Sequence, residues 1–244
     1  MIDAISAAVV RHRRPILVAD VLLAAGNAAA MAYAPDVADA LVPLILLLAL
    51  TGLLLSIISL GRRRAALVVL PRRPAFAAPV PAWRVLLTLG LLGQSSVTVG
   101  AYLRSTEAGI STTFDAVVGA LWLGVIALLV VAAWRGDDVR LSPDGVRTIG
   151  LLGSRTVPWE AGPGVAVPRD VERPPLRLPL TVAEPALARR RGLVGRATVP
   201  VDSVEPRFLA AVVSHYVAHP QHRTAIGTPD EYQRLLTHLR GATG

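Results

Sequence analysis

Four apolar stretches, each long enough to cross a bilayer, constrain this chain more than anything else in it. They run over residues 15–34, 40–60, 85–103 and 116–134. A helix rises about 1.5 Å per residue, so about 20 residues cover a hydrocarbon core of about 30 Å. The overall composition agrees: 53% of the 244 residues are hydrophobic, which is too apolar for two soluble domains. The expected architecture is a four-helix transmembrane region over 15–135, an N-terminal arm over 1–14 and a connection over 61–84. A second domain follows over 136–244.

Arginine placement orients the spans. The arm carries Arg11, Arg13 and Arg14, and the connection after the second span carries Arg62, Arg63, Arg64, Arg72, Arg73 and Arg84. The connection 35–39 has no arginine but has Asp36 and Asp39, and 104–115 has one arginine. The positive-inside rule then puts both termini and the 61–84 loop in the cytoplasm of a multi-pass protein of the cell membrane. Trp83 and Trp134 fall at the inner ends of the third and fourth spans, where amphipathic rings favour the interface. The first span also reads as a signal peptide ending in Ala32-Tyr33-Ala34. Against that stand Asp20 and Asn27 inside the apolar run and Pro35 directly after the cut.

Polar residues in spans are functional candidates by default. Asp20, Asn27 and Gln94 are read here as helix-packing groups, with Asn27 and Gln94 at similar depth and able to share one hydrogen bond. Gly26, Ala30, Gly90 and Gly93 would let those helices approach. In the 61–84 connection, Pro71, Pro74, Pro79 and Pro81 rule out a single helix. Its Ala65–Leu70 run is too short to span and is expected at the headgroup boundary.

From Asp138 the texture changes to short alternating runs. Ser142-Pro143-Asp144-Gly145 is a turn in which proline presets φ and glycine accepts positive φ. It separates Val139–Leu141 from Val146–Leu151, and Leu152-Gly153-Ser154 separates that strand from Arg155–Glu160, giving a three-strand meander. Period-two alternation adds Val165 and Val167, then Leu176, Leu178 and Leu180, then Val199 and Val201. Pro168, Pro179 and Pro200 mark these as edges or strand ends, since proline cannot donate to a ladder. Residues 184–195 read as a loop or a short helix. Two helices close the chain, one with the stripe Leu209, Val212, Val213 and Tyr216 ended by Pro220. The other opens on Thr228-Pro229-Asp230-Glu231, a capping box, and carries Tyr232, Leu235, Leu236 and Leu239.

Four spans followed by LSPDGVRTIGLLGSRTVPWE, and later by HYVAHPQHRTAIGT, resemble actinobacterial multi-pass membrane proteins with a C-terminal bacterial pleckstrin-homology-like (PH-like) domain. The resemblance covers about residues 136–243. It implies a membrane α region plus a β-rich domain, a bent antiparallel sheet or sandwich capped by a C-terminal helix, with no enzyme activity and no settled ligand. A second capped helix and the proline-rich 158–185 region depart from that pattern.

Composition excludes several chemistries. All 25 basic residues are arginine, so there is no Schiff-base, P-loop or kinase-type lysine, and the lack of cysteine removes thiol nucleophiles, disulfides and thiolate metal sites. Residues 1–135 hold 11 arginines against 6 acids, and 136–244 hold 14 against 11, so much of the excess flanks the spans and nucleic acid is not an expected partner. His215, His219 and His222 have metal-like spacing, but Pro220 separates the third from the helix and no glutamate sits inside the pair. They are read as helix-end residues, and neither metal nor cofactor is expected. Trp159 is read as core.

The best docking candidate is Arg189, Arg190, Arg191 and Arg196, a basic patch suited to anionic lipid headgroups or a protein partner. The expectation is a non-catalytic integral membrane protein that presents an interaction domain at the inner membrane surface. The alternative is a small transporter or channel subunit with a regulatory cytoplasmic domain.

Overall fold

A computed structural model describes residues 2–60, 65–70, 73–107, 109, 113–135, 139–150, 153–168, 176–192 and 197–241. The expected Arg62, Arg63, Arg64, Arg72, Asp138, Leu151, Leu152 and Arg196 lie outside them. The chain divides into two compact units, residues 1–60 with 81–136 and residues 61–80 with 137–244.

The first unit holds α1 (Ile2–Arg11), α2 (Arg13–Tyr33), α3 (Pro35–Ser59), α4 (Ala82–Glu107) and α5 (Thr113–Arg135). Four of these, α2 to α5, are long and apolar enough to cross a membrane. Each begins earlier or runs later than the apolar count suggested, because polar flanks continue the helical turns. The N-terminal arm is itself mostly helical, and Ala34 alone separates α2 from α3, with Pro35 opening the latter. α4 is the hub: 44% of its most apolar window is buried, against 22% for α2 and α3 and 11% for α5. Its small residues explain this. A Cβ on Gly90 would stand 2.8 Å from the Ala49 carbonyl oxygen of α3, and one on Gly100 would stand 2.5 Å from Met31 Cβ of α2. Gly90 and Gly93 thus admit α3, not α2, and Gly26 faces nothing within 4 Å. The apolar side chains of α3 and α5, such as Leu47, Ile57, Leu121 and Leu128, are turned outward, as a hydrocarbon solvent requires.

The second unit is built on a six-stranded antiparallel sheet: β1 (Val68–Val69), β2 (Phe76–Ala77), β3 (Val139–Ser142), β4 (Gly145–Ile149), β5 (Gly153–Pro158) and β8 (Arg189–Gly192), in that spatial order. The β3–β4–β5 meander lies where turn chemistry placed it, with Gly145 at φ 147°, where a Cβ would collide with the Val157 carbonyl. The 61–84 connection, in contrast, is not a mere loop. Val68 and Val69 pair with Ala77 and Phe76, and these pair in turn with Arg140 and Leu141. The domain is therefore discontinuous in sequence and wider than 136–244.

A three-stranded sheet, β6 (Pro163–Val165), β7 (Arg177–Val182) and β9 (Thr198–Pro200), has β7 in the middle. Pro200 ends its strand as expected and Pro168 lies beyond the end of β6, but Pro179 sits in the central strand. It is tolerated because its carbonyl, and hence the missing N–H, points to the β6 side beyond the last ladder residue Val165, where Ala166 N–H donates to that carbonyl at 3.2 Å. The core gathers Phe76, Leu141, Val146, Val157, Trp159, Leu178 and Val199 from the sheets with Leu209, Val212, Val213 and Tyr216 of α6 (Pro206–Ala218) and Leu235 of α7 (Pro229–Gly241). α6 buries the whole stripe its periodicity marked, whereas of the α7 stripe Leu235 is buried and Tyr232, Leu236 and Leu239 are half-buried.

The segment before β2 is locked to the start of α7. Leu67 N–H donates to the Tyr232 hydroxyl at 2.9 Å, and the Phe76 and Tyr232 rings lie 5.4 Å apart. Gly227, at φ 96°, leaves no room for a side chain, since a Cβ would fall 2.2 Å from Ala75 N. Gly227→Ala is expected to lower stability by about 1–3 kcal/mol and Phe76→Ala by about 3–5 kcal/mol. Urea unfolding of the detergent-solubilised full chain, followed by tryptophan fluorescence, checks both.

Candidate functional site

The arginines of residues 189–191 are in strand β8, not in a loop or helix. β8 pairs with β5 at one edge of the large sheet: Arg189 faces Thr156, Arg190 faces Arg155, and Arg191 faces Ser154. Successive side chains of a strand point to opposite faces, so the three arginines do not act as one patch. Arg189 and Arg191 join the outer face. Arg190 shares the other face with Arg155, which is buried, and whose pKa is lowered by burial first and by the Arg190 charge second.

Following the register across the sheet adds residues that sequence reasoning missed. Thr156 faces Arg147 of β4, and Arg147 faces Arg140 of β3. The outer face therefore carries Arg140, Arg147, Arg189 and Arg191, with Thr156 and Ser154 between the strands, and no carboxylate occupies a paired position on it. Arg147 Nη2 donates to Ser154 Oγ at 3.4 Å. Burial, followed by the charges of Arg73 and Arg147, lowers the pKa of Arg140, which shows the like charges crowding at this end. The clue lay in the hairpin: Arg140 and Arg147 flank the Ser142–Gly145 turn symmetrically, so an antiparallel fold had to bring them opposite one another.

A second cluster forms where α6 meets α7. The short 3-10 turn Pro220–Ala225 brings His222 back to the helix it has just left, with Nδ1 3.1 Å from His215 Nε2. His219 and His238 stack on or beside His215 at centroid distances of 4.6 and 4.7 Å. Four of the five histidines of the chain thus converge. His215 is buried, and its pKa is lowered to about 4 by that burial and then by the neighbouring His219, His238 and His222. Glu231, at α7, is fully buried. The capping box is half made: Thr228 Oγ1 accepts the Glu231 N–H at 3.3 Å. The Glu231 carboxylate turns inward instead of back, and its Oε1 accepts the Tyr216 hydroxyl at 3.1 Å. Burial and the Glu231 charge raise the pKa of that hydroxyl. Arg223 caps α6 by donating to the Tyr216 and Val217 carbonyls, and its guanidinium lies 5.7 Å from the ring centre of Trp159. Trp159 is core, its indole N–H donating to the Ser142 carbonyl at 2.9 Å.

In the helical unit Asn27 and Gln94 do not pair. Asn27 Nδ2 donates to Ser96 Oγ at 2.9 Å, while Gln94 is exposed on the outer side of α4. Trp122 Nε1 donates to Ser95 Oγ at 2.8 Å, a second interhelical bond that sequence reasoning missed. Asp20 Oδ2 is buried without a hydrogen bond. Asn27 lines an apolar groove of about 260 Å³ between α2 and α3 with leucines and Ile45, and neither Asp20 nor Gln94 reaches it. The bond to Ser96 satisfies the Asn27 amide nitrogen, and the three polar residues do not share this groove.

No family model, curated protein or solved structure matches the chain.

Tyr216→Phe leaves a buried Glu231 oxygen without its donor, so it is expected to destabilise the full chain by about 1–3 kcal/mol. The Glu231→Gln background should shrink that cost, and thermal unfolding of the four proteins of the cycle measures the coupling.

Proposed function

We propose that this is a non-catalytic multi-pass membrane protein whose β domain docks on an anionic surface, in the first place the lipid headgroups of the cytoplasmic leaflet. The row Arg140, Arg147, Arg189 and Arg191 on one sheet face carries this reading. Each arginine near an anionic leaflet gains about 1 kcal/mol, decaying over a Debye length of about 8 Å. The tethers favour lipid over a distant target. Only residues 136–138 separate α5 from β3, and Ala78–Pro81 separate β2 from α4, so extended chain gives a reach of about 14 Å at most. The arginine-based orientation places the domain on the cytoplasmic side. The sheet is also suited to display: its β8 edge is charged, which discourages edge-to-edge pairing and leaves the face available. A PH-like module, the likeness carried by the 141–160 segment, is consistent with antiparallel sheets closed by terminal helices.

Reconstitution of the full chain into nanodiscs of zwitterionic lipid, with and without phosphatidylglycerol, tests this. Amide exchange across β5 and β8 should slow in the anionic discs and recover at high salt. The slowing should be lost in Arg147→Gln/Arg189→Gln/Arg191→Gln. Equal exchange in both lipids contradicts the proposal.

A further inference from the structure

We propose that His215, His222 and Glu231 form a binding site for a divalent transition-metal ion, zinc foremost, which would tie α6, the turn after it and α7 together. One ligand atom from each of the three residues lies within 4.8 Å of the others. The two imidazole nitrogens are 3.1 Å apart. Two nitrogens held at 2.0–2.1 Å from a tetrahedral zinc ion stand about 3.3 Å apart, so the pair is already near coordination spacing. The ligand atoms of the three lie within 4.8 Å, so a shift of about 1.5 Å at most brings the carboxylate to the same spacing.

The chemistry of the donors fits the ion. Imidazole coordinates through the lone pair of a neutral ring, and each of the two histidines offers one such nitrogen to the gap between them. Two imidazoles and one carboxylate make a borderline set that suits zinc, cobalt or nickel better than calcium or magnesium. The Tyr216 hydroxyl on Glu231 Oε1 is the kind of outer bond that orients a ligating carboxylate. His219 Nδ1 lies 2.9 Å from the His215 carbonyl, which can only accept, so that bond leaves His219 Nε2 as a lone-pair atom.

The cluster also has a carboxylate oxygen, Glu231 Oε2, that is buried without a hydrogen-bond partner. Glu231 Oε2 does lie 2.8 Å from Arg234 Nη1, in an ion pair lacking hydrogen-bond alignment, and the Arg234 side chain is 58% exposed. That guanidinium can swing to solvent when a cation takes over the carboxylate. The three donors come from three successive elements, so occupancy would brace the C-terminal cap of the domain.

The test uses the full chain, purified in detergent without a polyhistidine tag, stripped with a chelator and titrated with Zn²⁺ against a chromophoric competitor. About one equivalent should bind per chain, Co²⁺ should give the intense visible bands of a tetrahedral site, and Zn²⁺ should raise the melting temperature. His222→Asn, at a half-exposed position where folding is not at risk, should weaken binding by at least about 10-fold and abolish the thermal shift. His12→Asn should change neither. No stoichiometric binding, or equal binding by His222→Asn, overturns the site.

Discussion

The pairing of β2 with β3 is the contact on which the β domain depends. It joins Phe76 to Leu141 and Ala77 to Arg140, and so makes the connection between the second and third apolar helices part of a sheet whose other strands lie beyond residue 138. Without it β3 would be an open edge, with unpaired N–H and C=O groups beside an apolar face. Phe76 is fully buried, and its removal would open the core against Tyr232. Gly227 and the Leu67 bond to Tyr232 fasten the same segment from the other side. The domain is therefore closed by residues that enter from a different part of the chain than the rest of it.

That closure has a consequence for function. The chain crosses between the two units three times, entering the β domain at residues 61 and 137 and leaving it after residue 80. The arginines of its outer face are held on a rigid ladder rather than on a loop, and sites on regular elements keep their geometry better. The same ladder separates charges by face: Arg189 and Arg191 go one way, and Arg190 goes the other to meet Arg155. In the helical unit the polar groups serve contact between helices, with Asn27 bonded to Ser96 and Trp122 to Ser95, and α4 is the element through which the others pack.

Much of this was legible from residue order, for definite reasons. Span length is a strong signal because the bilayer demands about 20 apolar residues, and the four helices match it. The meander followed from Ser142–Gly145, and the closing helices from stripes such as Leu209, Val212, Val213 and Tyr216. What stayed hidden depended on pairing at long range. Val68, Val69 and Phe76 are too few to announce a strand, and Leu141, the partner that ties Phe76 into the large sheet, stands 65 residues away. Arg189–Arg191 read as a patch because sequence does not show that a strand splits them between two faces. Pro179 read as an edge because its tolerance rests on where β6 stops. His222 read as separate from His215 and His219 because Pro220 ends the helix, whereas the turn it starts brings His222 back, and His238 and Glu231 arrive from another helix.

The chain has no cysteine, so the closure can be tested with an engineered pair. Ala78 N–H donates to the Val139 carbonyl at 3.0 Å, which makes the neighbouring pair Ala77 and Arg140 a non-hydrogen-bonded one, with Cα atoms about 4.5 Å apart. That spacing accepts a disulfide. Ala77→Cys/Arg140→Cys, oxidised mildly in membranes, should crosslink in high yield, so that fragments cut between the two positions stay joined until reduced. Ala77→Cys/Arg147→Cys spans two strand spacings, about 9.6 Å, and should not. No crosslink in the first protein, or equal crosslinking in both, would contradict a domain closed by the connection between the helices.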